Sequence, residues 1–102
     1  MGHAKLVRDR IPELIHASGA EPRTRVATRQ EFRGLLRDKL VEEAEEFLAS
    51  EDPEELADIL EVVLALAADL GVDRDQLEKL RAAKAFERGA FTERIVWCGN
   101  AP

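Results

Sequence analysis

Apolar positions along this chain repeat at helical intervals. Phe32, Leu36, Leu40 and Phe47 recur at steps of 4, 4 and 7, one stripe along one side of a helix. Further on the pattern thickens, and Leu56, Ile59, Leu60, Val63, Leu64, Ala67 and Leu70 are expected to face inward from a second helix. Val62 and Leu66 widen that arc to roughly half the circumference, at about 100° per residue. A helix apolar over so much of its girth is usually covered on two sides. In a chain of 102 residues the second cover is expected to be another subunit. A homodimer is then the minimum, and a dimer of dimers the next size up.

The residues between these stripes punctuate the helices. "TRQE", Thr28 to Glu31, reads as a capping box, in which the Thr hydroxyl and the Glu carboxylate each satisfy an open backbone N–H. "DPEE", Asp52 to Glu55, reads as another, with Pro53 at the favoured first helical position. "DRDQ", Asp73 to Gln76, is a third, and Gly71 ahead of it is a good terminator. These signals predict helices over about 28–50, 53–70 and 74–88, and a shorter one over about 8–18 ended by Gly19. After Gly89, "FTERIVW" alternates well enough for a short strand or an extended tail. The expected fold is all-α: one domain over 1–102, an antiparallel bundle of about four helices with a short extended C-terminal segment, completed by homo-oligomerisation.

Composition supports packed helices. Tyr is absent and Phe and Trp are few, so the core draws on Leu, Val, Ile and Ala. No run is long enough to span a membrane, no signal peptide opens the chain, and the single cysteine, Cys98, fits a reducing compartment. A cytoplasmic protein without a membrane partner is expected. The net charge of −6 argues against binding a nucleic-acid polymer, which needs a basic face. The distribution of charge says more than the total. Residues 40–73 carry twelve acidic side chains and no basic one, between two ends in which basic residues predominate.

Ten of those carboxylates lie between Glu42 and Glu61. Like charges at i,i+3 and i,i+4 cost a few tenths of a kcal/mol per pair on an exposed helix. A solvated acidic face accounts for Glu45, Glu51 and Glu54, and capping accounts for Glu55 as well. Glu43 is different, because it interrupts the apolar stripe between Leu40 and Phe47. A buried ionised carboxylate is costly unless paired, and no side chain on these two helices is expected to pair with it. Glu43 and Glu46 are spaced i,i+3, as are Glu55 and Asp58. The short loop between the helices makes them antiparallel neighbours, so the four carboxylates converge. Oxygen-only ligation suits Mg²⁺ or Mn²⁺ and offers nothing to zinc. Mg²⁺ is typically completed by waters and phosphate oxygens, which points to a phosphate substrate.

"EEAEE" at 42–46 followed by "ELAD" at 55–58 resembles the EExxE…ExxD signature of the all-α nucleoside triphosphate pyrophosphohydrolases. That superfamily groups MazG, dimeric dUTPases and phosphoribosyl-ATP pyrophosphohydrolase. "KLVRDRIPELI" at 5–15, "ELADILEVVLALA" at 55–67 and "ERGAFTERIV" at 87–96 resemble a short MazG-like branch, often labelled phosphoribosyl-ATP pyrophosphohydrolase-like. These blocks extend over nearly the whole chain. Only eight residues separate Glu46 from Glu55, fewer than in typical MazG domains, which leaves less room for a substrate-covering loop. The resemblance implies that Glu43, Glu46, Glu55 and Asp58 are metal ligands and that Glu42 supports the site or the attacking water. The implied reaction is Mg²⁺-dependent hydrolysis of nucleoside triphosphates, noncanonical ones among them, to monophosphate and pyrophosphate. Either Glu42 or Glu43 could take the water's proton. Alternatives are true phosphoribosyl-ATP pyrophosphohydrolase of histidine synthesis, or a non-catalytic helical dimerisation module.

An anionic substrate over anionic ligands calls for cations nearby. Lys5, Arg8 and Arg10 in "KLVRDR", Lys39 one turn before Glu43, and Lys84 with Arg88 in "KAFERG" are the candidates. Lys84 and Arg88 are spaced i,i+4 and can present a two-pronged phosphate clamp. The alternative for all six is a solvated face or local pairing. The resemblance favours Arg8, Lys84 and Arg88 as substrate-side groups, acting within the subunit or across its boundary. Glu61, one turn beyond Asp58, either supports the site or is plain surface. His16 reads as a capping residue, Trp97 and Cys98 as a packed tail, and "GNAP" is too short for a phosphate loop.

Overall fold

A computed structural model describes residues 4–102, so the first three residues of the expected 1–102 domain lie outside the described residues. Four helices follow one another: α1 (Ile11–Ala17), α2 (Arg29–Ser50), α3 (Pro53–Asp69) and α4 (Arg74–Arg88). The all-α class and the three long helices agree with the sequence expectation. No strand occurs among the described residues. In "FTERIVW" a turn closes from Phe91, whose carbonyl accepts the Arg94 N–H at 3.3 Å, and Arg94 takes a φ of 55°. That turn breaks the alternation and leaves an extended tail.

The three caps form in different ways. Asp73 and Gln76 make a complete box, each side chain accepting the other's backbone N–H at 2.8 Å. At α2 only half of the expected box exists. Thr28 Oγ1 accepts from the Glu31 N–H at 3.2 Å, but the Glu31 carboxylate holds Arg25 bidentately at 2.6 and 2.7 Å. A charge-assisted fork displaces a single bond to a backbone N–H. At α3, Asp52 Oδ1 accepts from Glu54 N–H at 2.9 Å, while Glu55 N–H bonds only the Asp52 carbonyl, at 3.0 Å. The Glu55 carboxylate is therefore not spent on capping.

Two residues, Glu51 and Asp52, connect α2 to α3. Glu51 sits in the left-handed region (φ 55°, ψ 24°) with its N–H on the Phe47 carbonyl at 2.7 Å. So tight a turn folds α3 back against α2, and the helix packing runs between these two and, more lightly, between α3 and α4. Leu36 (3% exposed), Val62 and Ala67 are the buried apolar residues. The expected inward face of α3 holds in part, with Ala67 buried and Ile59, Val63 and Leu64 half-buried, but its packing is rotated toward one edge. Leu56, Leu60 and Leu70 are exposed, and α2 lies against the Val62 edge of the arc instead. Asp69, two helical turns beyond Val62, fixes that rotation. Its side chain is 5% exposed, Arg33 Nε donates to it at 2.6 Å, and Arg29 Nε stands 3.8 Å away. No motif or spacing in the sequence marks this residue, whose partner lies on another helix. Asp69→Asn is expected to cost about 1–3 kcal/mol, since it leaves Arg33 without its anion. A urea midpoint equal to that of the parent chain would show the pair to be dispensable.

The chain is elongated, 64 × 31 × 24 Å, with a radius of gyration of 18.3 Å against about 13 Å for a compact domain of this length. Its accessible surface is 9386 Å², where a folded monomer of 11.4 kDa exposes about 5,800 Å². Much of the excess is apolar: Phe86 is 95% exposed, Phe91 96% and Trp97 78%, with Ile95 and Val96 alongside. The expectation of a packed Trp97–Cys98 tail is thus corrected. Trp97 Nε1 reaches only Asn100 Oδ1, at 3.1 Å, and Cys98 is exposed, because none of the described residues folds back over the tail.

Candidate metal centre

The tight turn places the last turns of α2 beside the first turns of α3. Glu43, Glu55 and Asp58 each bring a carboxylate oxygen to within 4.8 Å of the others. Glu43 is 8% exposed, and its Oε2 is buried without a hydrogen-bond partner, as is Oε2 of Glu55. Burial is the main cause that pushes the Glu43 carboxyl above its ordinary range, and Glu46 and Asp58 add to it. Burial also raises Glu55, with the charges of Glu46, Asp58 and Glu43 contributing. Glu46 itself is exposed and stands outside the tight group of three, though close enough to act on both neighbours.

The expectation that Glu43 lacks a partner is corrected. Lys39 Nζ lies 3.5 Å from Glu43 Oε1 and 3.7 Å from Glu42 Oε2, because Lys39 precedes Glu43 by one helical turn on the same helix. One ammonium does not balance the cluster. Its pull on Glu43 is outweighed by burial and the neighbouring acids, and Oε2 stays unpaired.

Two further cations come from the segment before α1. Arg8 Nη2 donates to Asp58 Oδ1 at 2.6 Å, its Nη1 stands 3.9 Å from Glu61, and Lys5 Nζ is 3.9 Å from Glu42. Arg8, Lys39, Glu43, Asp58 and Glu61 line one cavity of about 520 Å³ over the apolar floor of Leu36 and Val62. Glu61 thereby joins the site's wall. Arg10 also lines the cavity, but its Nε is engaged by Glu13 at 2.5 Å. Lys84 and Arg88, on α4, do not line it. His16 ends α1 with Nδ1 3.2 Å from Glu21.

Carboxylates alone, two with orphaned buried oxygens, make a hard donor set that fits Mg²⁺ or Mn²⁺ and lacks the nitrogen or sulfur that zinc favours. The same geometry sets a pH dependence. Glu43 and Glu55 hold protons more tightly folded than unfolded. Stability contributed by these two groups therefore rises as pH falls through their raised values, and levels off once the ordinary carboxylate range is reached. Glu31 and Glu78, held low by Arg25 and Arg81, work the other way and only at more acid pH. In EDTA the melting temperature is expected to be higher at about pH 5.5 than at about pH 7.5, and saturating Mn²⁺ should reverse the order as protons compete with the ion. A melting temperature in EDTA that is lower at the more acid pH would contradict the repulsive cluster.

No family model matches the chain, and no solved structure does. A protein of Mycolicibacterium smegmatis described as uncharacterized is similar to it, 50% identical over 48 residues. That stretch is 47% of this chain and 49% of the relative, so the match spans about half of each.

Proposed function

We propose that this chain is a MazG-like nucleoside triphosphate pyrophosphohydrolase, a cytoplasmic enzyme that hydrolyses nucleoside triphosphates, noncanonical ones among them, to monophosphate and pyrophosphate. The observation that carries this reading is Glu43: a buried carboxylate with one unpaired oxygen, facing Glu55 and Asp58 across a two-residue turn. The motif order "EEAEE…ELAD" with its flanking blocks supports the same reaction. A divalent ion there would supply the charge that draws in phosphate oxygens and makes water a better nucleophile. Glu43, Glu55 and Asp58 would hold it, with Glu46 beside them. Glu42, less buried and next to Lys39, is the group left to take a proton from water. Lys39 and Arg8 stand on the cavity wall, where the phosphates of a substrate would lie.

The enzyme works as a homodimer or a dimer of dimers. Surface in excess of a folded monomer's, together with bare apolar residues on α3, α4 and the tail, supports an obligate assembly. Lys84 and Arg88, remote from their own chain's cavity, then act across a subunit boundary. These same apolar surfaces also favour a second reading, a helical dimerisation module whose acids are only solvated. Titration with Mg²⁺ and Mn²⁺ separates the two. The metalloenzyme predicts a rising melting temperature and binding below about 1 mM, which a solvated acidic face does not give. No shift and no binding would leave only the module.

A further inference from the structure

We propose that residues 4–10 form a tethered cationic strap that competes with a divalent ion for the carboxylate cluster, so that ion binding loosens the strap and frees the Arg8 guanidinium within the cavity. The inference rests on the metal reading and adds a regulatory element to it. Residues 4–8 are neither helix nor strand, and among the described residues Ala4 to Val7 make no backbone–backbone hydrogen bond. What holds the strap is the half-buried Leu6 and two charged contacts, Arg8 on Asp58 with Glu61, and Lys5 toward Glu42. All of these charged side chains are at least 40% exposed, so each pair is weak and cheaply broken.

Asp58 stands at the centre of the conflict. It is one of the three carboxylates that lie within 4.8 Å of one another, and it is also the acceptor of the strap's shortest bond, at 2.6 Å. A guanidinium beside a cation site repels the incoming ion and withdraws ligand charge from it. Linkage makes the effect reciprocal: if the strap weakens ion binding, the ion weakens strap docking by the same factor. Because Arg8 is anchored one turn from α1 through the Ile11 N–H on its own carbonyl, at 3.0 Å, it stays near the cavity when released. There it meets whatever anion accompanies the metal.

The test uses the full chain with Mn²⁺ as the probe. By calorimetry Arg8→Gln should bind Mn²⁺ roughly threefold to tenfold more tightly than the parent, Lys5→Gln by a smaller factor, and Arg8→Lys should remain near the parent. In the unsubstituted chain, saturating Mn²⁺ should speed tryptic cleavage after Lys5 and Arg8, whose side chains the docked strap holds on Glu42 and Asp58. Equal or weaker binding by Arg8→Gln overturns the strap, and so does cleavage that Mn²⁺ leaves unchanged or slows. If neither protein binds Mn²⁺, the metal reading falls and takes the strap with it. Equal binding by both leaves the metal reading standing and removes the strap alone.

Discussion

Glu43→Gln should abolish pyrophosphate release while raising the melting temperature of the metal-free chain. The two effects share one cause. Glu43 is the most buried acid of the cluster and lies against Glu46, Glu55 and Asp58. In the absence of a cation its charge repels three others, and the amide, of the same shape, does not. Lys39 keeps Glu42 as a partner, so the substitution strands no cation. Relief of about 1 kcal/mol corresponds to about 4–8 °C in a domain of this size. On the proposed metalloenzyme reading, the same substitution is expected to lower turnover by about a thousandfold or more. A variant that melts lower and still turns over would make Glu43 a structural residue instead.

Leu60→Asp and Phe86→Asp should each disperse the proposed assembly. Both side chains are exposed in the single chain, Leu60 by half and Phe86 almost fully. For a monomer, such surface changes fall within about ±0.5 kcal/mol. Buried between subunits, an aspartate lacks a partner and costs several kcal/mol. Sedimentation should therefore report an oligomer for the parent and a smaller, loosely folded species for the variants. Trp97, the single tryptophan, gives a second readout, since its emission should move to the red as a covering subunit departs. Variants that sediment and melt like the parent would mean that the bare apolar face is not an interface.

Helix spans, the direction of the α2–α3 hairpin and the convergence of Glu43, Glu55 and Asp58 were legible in the sequence, because capping residues and 3.6-residue periodicity are local properties. Rotation of α3 about its axis was not. An arc covering half a helix does not say which edge meets which neighbour, and the deciding contact, Arg33 with Asp69, joins residues 36 apart. Lys39 is visible as a cation near the site, and its i,i+4 spacing from Glu43 is the local signal for the pair the structure forms. The Arg8–Asp58 pair spans fifty residues and carries no periodic signal. Half of the Thr28 box was lost to Arg25, a competitor that a motif of four residues does not contain.

We propose that these carboxylates serve hydrolysis of a triphosphate between its α and β phosphates. The most direct test of this claim is product analysis with Mg²⁺ or EDTA across NTPs, dNTPs, noncanonical triphosphates and phosphoribosyl-ATP, scoring pyrophosphate against orthophosphate. The predicted result is pyrophosphate and monophosphate from at least one triphosphate, dependent on the metal and lost in Glu43→Gln. Turnover confined to phosphoribosyl-ATP would move the enzyme to histidine synthesis, and no metal-dependent pyrophosphate from any substrate would contradict the claim outright.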